Sequence, residues 1–182
     1  MQKILLAIDG LMPSKTAFSY AVELCRQIRT ELKIVQIIDP LRYRKHLQAL
    51  KQRMQATRQH IGDAMVAASF AEAGEHEMAQ RIISEARRNT EMLLPESRQA
   101  GVSYNLSIES GDPVKQIRRH VNEDRDVVFA VYDASADRRV CSKADRTREL
   151  KKMSGHLAVP LVVIDKKAGS EQVVSTKEDK PC

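Results

Sequence analysis

Hydrophobic residues along this chain follow two patterns, short continuous apolar runs and longer segments with apolar residues every three or four positions. The first run, residues 4–8, is followed by a segment of helical spacing and then by a second run, residues 32–38. Strands of a parallel sheet that are covered on both faces are continuous apolar runs, and a parallel pair needs a connecting helix. Residues 1–39 therefore predict one βαβ unit.

Three further strands follow along the chain. Residues 102–108 alternate apolar and polar positions, which is typical of a strand at an edge of the sheet with one more polar face, whereas residues 127–131 and 159–164 are apolar runs. Five strands alternating with helices predict an α/β fold with a doubly wound, five-stranded parallel sheet of order 3-2-1-4-5. In that order a crevice forms between the carboxyl ends of the first and fourth strands.

Capping residues mark where two of the helices begin. Ser14 is the expected N-cap of the first helix, because a serine oxygen can accept from a free backbone N–H of the first turn. Asp112 followed by Pro113 predicts the start of a second capped helix over residues 114–122. Both helices follow directly after a predicted strand.

The interval 41–100 contains no strand-like run. Its apolar spacing predicts two helices broken near Gly74, the second of them kinked or ended by Pro95. A further helix is predicted over residues 142–156, before the last strand. The second crossover connection is therefore much longer than the others.

A chain of 182 residues is long enough for one domain with its own hydrophobic core. We expect that domain to cover residues 1–165, with a helical insertion at about 41–74. Residues 166–182 are polar and without apolar periodicity, so a flexible tail is predicted there.

Cysteine usage and hydropathy indicate a cytoplasmic protein. Cys25, Cys141 and Cys182 are odd in number and match no metal or redox spacing, so we expect reduced thiols. No stretch approaches the ~18 uninterrupted apolar residues of a membrane span, and a predicted strand stands where a signal peptide would need a charged and then an apolar region.

Three motifs carry a resemblance to a known family. They are the KILLAIDG stretch at residues 3–10, the Gly-Asp-Pro turn at residues 111–113, and the VPLVVI stretch at residues 159–164. In this order and spacing they resemble the universal stress protein family over about residues 1–165, with residues 40–74 poorly covered. The resemblance implies an adenine nucleotide hydrolase-like α/β fold, a cytoplasmic protein, and commonly a dimer joined through the last strand.

Members of the resembled family divide into those that bind ATP and those that do not. In ATP binders the loop after the fourth strand carries glycines at set spacing, which let backbone amides approach phosphate oxygens. Residues 133–143 of this chain contain no glycine, and they place Asp133 and Asp137 where a triphosphate needs donors. Two like charges at ~4 Å and an effective dielectric constant of ~20 repel by about 4 kcal/mol. We therefore expect no bound cofactor and no ATP in the family's manner.

An adenine nucleotide or small-anion binder with a modified crevice is the first alternative. Asp9 matches the family position that contacts the nucleotide base, and the basic residues after the fourth strand could offset its acidic ones. The candidate binding residues are Asp9, Gly10, Ile38, Tyr132, Ser135, Arg138, Arg139 and Lys143. Structural roles compete with this interpretation, because a carboxylate after a strand often accepts N–H groups of the turn and apolar residues such as Val35, Ile37 and Ile38 are usually core.

A basic segment supports a second alternative, an adaptor that docks an acidic partner through a helix at about residues 41–60. The chain carries a net charge of +6, and no acidic residue occurs between Asp39 and Asp63. The candidate partner-binding residues are Arg42, Arg44, Lys45, Lys51 and Arg53. A solvated face neutralised by nearby glutamates accounts for the same pattern. Nucleic acid is not expected as the partner, because Tyr43 is the only aromatic residue in the run.

Residues suited to catalysis do not form a recognisable set. The five histidines show no pair at metal-binding spacing, and no strand-turn-helix motif presents a nucleophile. Cys141 lies among Arg138, Arg139 and Lys143, which permits a redox-sensing role, but an ordinary cysteine at the start of a helix is the preferred interpretation. We therefore expect no enzyme activity and no metal.

The interpretation that best fits these features is a non-catalytic stress-response protein that acts through protein association as a homodimer. The last predicted strand would end the sheet, and an apolar edge is an aggregation hazard unless it is covered or paired. Pairing with a second copy across a twofold axis removes the hazard and closes the assembly. The expected dimer edge consists of Val159, Leu161 and Val163.

Overall fold

A computed structural model of the chain describes residues 1–39, 80, 82–134 and 157–164. These residues form five strands and four helices. We number them β1 (Lys3–Asp9), α1 (Lys15–Ile28), β2 (Glu31–Ile38), α2 (helical residues 82–91), α3 (Leu94–Gln99), β3 (Tyr104–Ser110), α4 (Pro113–Glu123), β4 (Val127–Asp133) and β5 (Leu161–Ile164).

The strands form one parallel sheet of order β3-β2-β1-β4-β5, so the predicted fold class and strand order are confirmed. In the β1–β4 pair Ile8 is level with Asp133, and in the β1–β2 pair Asp9 is level with Ile37. The carboxyl ends of the three central strands therefore meet at one edge of the sheet, where the strand order reverses.

Both faces of the sheet are covered by helices. On one face Ile4, Leu6 and Ile8 of β1 belong to the same buried cluster as Phe18 of α1 and Leu94 of α3. The alternate residues of the same strands face the other way, because successive side chains of a strand point to opposite faces. They form the second cluster, with Leu5, Ala7, Val35 and Ile37 packed with Ile117 and Val121 of α4.

Two strands begin later than the sequence predicts. Val102 donates its backbone N–H to the Ser97 carbonyl and accepts from the Ser97 hydroxyl, so its backbone closes the end of α3 and β3 begins at Tyr104. β5 begins at Leu161, two residues after Val159, because the β4–β5 ladder starts at the Pro160 carbonyl and Pro160 has no N–H to extend it.

Helix boundaries agree with the capping residues. Ser14 Oγ accepts from the N–H of Ala17 at 3.4 Å, and Asp112 Oδ1 accepts from the N–H of Lys115 at 2.9 Å. The predicted break at Pro95 is present as a turn at residues 92–93, after which Pro95 occupies the first turn of α3, where its missing N–H costs nothing.

Several predicted features fall on residues that the structure does not describe. They are the first inserted helix with its break near Gly74, the helix at residues 142–156 and the tail from residue 166. These features stay predictions.

An ion cluster joins the amino ends of β1 and β2 to the residues after α4. The Nζ atoms of Lys33 and Lys3 lie 2.8 Å and 3.1 Å from Asp124 Oδ2. The hydrogen bond from Lys33 has the largest effect on the pKa of Asp124, and the one from Lys3 adds to it. Together they lower that pKa from 3.8 to about 2, although burial acts in the opposite direction. The cluster lies at the end of the sheet opposite to the crevice.

Replacement of Asp124 by asparagine is expected to lower the free energy of unfolding at pH 7 by roughly 2 kcal/mol, because one pKa unit corresponds to about 1.4 kcal/mol. The folded-state pKa is depressed, so this contribution is complete above pH ~4 and is lost as the pH falls towards about 2. Urea unfolding of both proteins between pH 7 and pH 3 measures the difference.

Asp126 offers a matched control, because its Oδ2 lies 3.7 Å from the Lys3 ammonium and its side chain is 52% exposed. We expect the Asp126→Asn change to be much smaller, as for other exposed ion pairs. A stability difference between wild type and Asp124→Asn that did not shrink below pH 4 would contradict the assignment.

Candidate functional site

The crevice at the carboxyl ends of β1 and β4 is the candidate site, because ligands of open α/β sheets bind where the strand order reverses. Asp9 ends β1 and Gly10 follows it, while Tyr132 and Asp133 end β4. All four residues are buried. The structure therefore brings together the two parts of the site that the sequence predicted from topology.

Asp9 and Tyr132 are bonded directly across the crevice. The Tyr132 hydroxyl donates to Asp9 Oδ2 at 2.9 Å. Asp9 is 8% exposed and Tyr132 is 2% exposed. The ring of Tyr132 belongs to the buried cluster on the α4 face of the sheet, so the hydroxyl reaches Asp9 from that face.

Asp133 lies on the opposite face of the sheet, where it contacts the start of α1. Its Oδ2 atom accepts the backbone N–H of Ser14 at 2.6 Å, and the carboxylate is 1% exposed. Ser14 is the N-cap of α1, where the positive end of the helix dipole favours a negative charge. Adjacent residues of β4 thus hold the end of β1 and the start of α1 from the two sides of the sheet.

Gln36 is a residue that the sequence reasoning missed. Its side chain is fully buried at the end of β2, and its Nε2 donates to the carbonyls of Gly10 at 2.8 Å and Leu11 at 3.2 Å. Its Oε1 accepts from the Thr90 hydroxyl of α2 at 2.8 Å, and Asn89 donates to Leu11 at 3.1 Å. The one signal was a polar residue inside an otherwise apolar run, since buried polar groups need partners.

This network fixes the loop after β1. Gly10 has a φ of 103°, a conformation that favours glycine, and its N–H donates to the Ile37 carbonyl at 2.9 Å. With the Ser14 N–H bonded to Asp133, several backbone groups of this loop are engaged by the protein itself.

Ile38, a candidate wall of a nucleotide pocket, is 5% exposed and packs with Ala86, Leu11 and Ile108 in a third buried cluster. Val35 and Ile37 belong to the core on the α4 face. The structure thus places these three residues in the packed interior.

The remaining candidates for the crevice and for partner binding are not among the residues that the structure describes. They are Ser135, Arg138, Arg139 and Lys143 after β4, with Asp137 and Cys141, and Arg42, Arg44, Lys45, Lys51 and Arg53 of the basic segment. Their roles stay predictions.

The predicted dimer edge is at β5, which ends the sheet among the described strands. Leu161 and Val163 are 1% and 6% exposed, so their side chains belong to the core, and Val159 precedes the strand. The Pro160 carbonyl accepts from Ala130 of β4 at 3.0 Å, and the Ile164 carbonyl accepts from Ala134, directly after β4, at 2.9 Å. Because alternate residues of a strand direct their backbone groups to the same side, the backbone N–H and C=O of Leu161 and Val163 point away from β4.

No group of three or more histidine, cysteine or acidic side chains suited to a metal ion occurs within the described part of the chain. His120 pairs with Glu109, whose Oε1 lies 2.9 Å from His120 Nε2. Cys25 is a buried free thiol, and burial raises its pKa to about 11. Among the residues described, no helix has the length and apolar character needed to cross a membrane.

Comparison with known proteins gives one family and several similar folds. The sequence profile of the universal stress protein family matches residues 1–128, whereas no curated protein matches the chain. UspA from Lactobacillus plantarum is 12% identical, with a TM-score of 0.59 over 90% of this chain and 97% of that protein.

Two further solved structures share the fold. A universal stress protein in complex with cAMP is 14% identical, with a TM-score of 0.50 over 91% of this chain and 98% of that one. The protein MJ0577 is 14% identical, with a TM-score of 0.54 over 92% and 98%. The family profile matches more than half of this chain, and the chain therefore belongs to the universal stress protein family.

Proposed function

We propose that this chain is a non-catalytic universal stress protein of the cytoplasm that acts through protein association as a homodimer and does not use ATP. The observation that carries the proposal is the state of Asp133. This buried carboxylate opens the segment in which a triphosphate would need backbone donors, and it is bonded to the N-terminus of α1.

The sequence after Asp133 supports the same conclusion. No glycine occurs in residues 133–143, so every residue there carries a Cβ atom that restricts the close approach of amides to phosphate oxygens. A negative charge at Asp133 adds repulsion for an anionic ligand. The segment after β4 thus lacks the glycines with which ATP-binding members hold the phosphates.

The edge of the sheet supports association with a second copy. β5 is the last strand of the sheet among the described residues and directs the backbone N–H and C=O groups of Leu161 and Val163 away from β4. A strand at the end of a sheet tends to pair with another strand. A twofold axis beside β5 would pair the two copies of the strand and leave no further edge at that side.

Replacement of Val163 by proline is expected to weaken the dimer by about 30-fold or more in Kd. The change removes one outward N–H from each copy, and two lost hydrogen bonds at about 1 kcal/mol each give that factor. It leaves in place the residues at positions 160, 162 and 164, whose backbone groups face β4. Light scattering coupled to size exclusion, over a concentration series, measures the change from twice the 20.5 kDa chain mass to that mass.

Val163→Ala is the matched control, because it also reduces side-chain packing but keeps the N–H. We expect the alanine variant to remain dimeric. A monomeric wild type would overturn the proposed dimer, and a fully dimeric proline variant would place the interface elsewhere.

Nucleotide binding in a modified crevice is the second candidate. It is favoured by the position of Asp9 at the carboxyl end of β1 and by the cAMP complex of a protein with a similar fold. Calorimetry with ATP and cAMP tests it. Saturable micromolar binding to the wild type that is lost in Asp9→Ala would establish this function in place of the first.

A further inference from the structure

The hydrogen bond between Tyr132 and Asp9 is buried, and the packing of the tyrosine ring holds it in place. The ring of Tyr132 is held in the core with Ala7, Val35 and Ile37, which fixes the direction of its hydroxyl. The hydroxyl meets Asp9 Oδ2 at 2.9 Å, and both side chains are more than nine-tenths buried. A hydrogen bond to a carboxylate away from water is among the stronger hydrogen bonds of a protein.

We propose that Tyr132 determines specificity in the crevice, because its hydroxyl donates to Asp9 Oδ2 and thereby disfavours the nucleoside half of a nucleotide at that acceptor atom. This inference rests on the proposed function and deepens it. Asp133 and the glycine-free segment concern the phosphate half of a ligand, whereas Tyr132 concerns the half that would donate to Asp9. The two halves are disfavoured by neighbouring residues of one strand, acting on opposite faces of the sheet.

A ligand that donates to Asp9 Oδ2 would have to compete there with the tyrosine hydroxyl. An amine or hydroxyl group of a nucleoside can donate to a carboxylate as the phenol does, so the exchange gains no hydrogen bond for the ligand. The intramolecular donor needs no further ordering, whereas a free ligand loses translational and rotational freedom on binding. At Asp9 Oδ2 the internal contact is therefore favoured over a ligand donor.

Tyr132→Phe is the sharpest variant, because it keeps the ring in the core and removes only the donor. The probe is adenosine, which carries no phosphate and so tests this half of the crevice independently of residues 133–143. We expect the full-length variant to bind adenosine at least tenfold more tightly than the wild type, the factor that one hydrogen bond to a charged group represents. ATP is expected to bind the variant no more tightly than adenosine.

Calorimetry and amide chemical-shift titrations of wild type, Tyr132→Phe and Tyr132→Phe with Asp9→Ala give the readout. Loss of the gained affinity in the double variant supports a contact through Asp9. If the wild type binds neither ligand and Tyr132→Phe gains nothing, this inference is wrong while the proposed function stands. Tight binding of ATP to the wild type would instead remove the proposed function.

Circular dichroism of each variant establishes that it is folded before binding is compared. Should the phenylalanine variant not fold, Tyr132→Leu, which also lacks the hydroxyl and keeps an apolar side chain, takes its place. An adenosine affinity gained equally with and without Asp9 would also overturn the inference.

Discussion

Replacement of Phe18 by alanine is expected to lower the free energy of unfolding by about 4 kcal/mol, in the range measured for phenylalanines deleted from protein cores. Phe18 is fully buried and is one of the largest such side chains in the described part of the chain. It lies in the cluster that joins α1 to Ile4, Leu6 and Ile8 of β1, so its removal leaves a cavity between the helix and the centre of the sheet.

Urea unfolding monitored by circular dichroism measures this loss. Tyr20→Ala on the same helix is the control, because Tyr20 is 36% exposed and its truncation leaves no closed cavity. We expect a loss within about 1 kcal/mol for that variant. Equal losses for the two substitutions would mean that Phe18 is not the contact that holds α1 to the sheet.

Replacement of Gln36 by leucine is expected to lower the free energy of unfolding by about 3 kcal/mol. The apolar side chain fills the space of the glutamine but leaves the Thr90 hydroxyl and the Gly10 carbonyl without this partner, and each buried polar group so deprived costs roughly 1–3 kcal/mol. The loop after β1 should become more mobile, which amide hydrogen exchange at residues 10–14 would detect.

A double-mutant cycle with Thr90→Val tests the origin of that loss. Because the two side chains are hydrogen-bonded to each other, the double variant should be less destabilised than the sum of the single ones, by about 1 kcal/mol. Gln27→Leu, on the exposed surface of α1, should change the stability little. Strict additivity at Gln36 and Thr90 would contradict the network.

The candidate site illustrates how far sequence reasoning reaches. Asp9 and Tyr132 could be assigned to one crevice, because each follows an apolar run and the strand order brings the ends of β1 and β4 together. Their mutual hydrogen bond was not foreseen. The bond requires both side chains to lie on the same face of the sheet, and it requires the observed alignment of β4 with β1, because a shift by one residue would move Tyr132 to the other face. Apolar runs specify neither the face nor the alignment.

The sequence left Ile38 open between a pocket wall and a core position, and it predicted a dimer edge at Leu161 and Val163. The structure buries the side chains of all three residues. For β5 the distinction matters, because only the backbone of Leu161 and Val163 remains available to a partner.

By itself the sequence determined the class of fold, the strand order, the helix caps at Ser14 and Asp112, and the absence of glycine from residues 133–143. The caps and the individual strands follow from local periodicity and composition, and the strand order follows from the alternation of strands and helices along the chain. Only the tertiary structure decided that Tyr132 bonds Asp9, that Asp133 bonds Ser14, and that Gln36 fixes the loop after β1. Those contacts join residues from 26 to 123 positions apart, so their partners are selected by packing and strand register rather than by any local pattern.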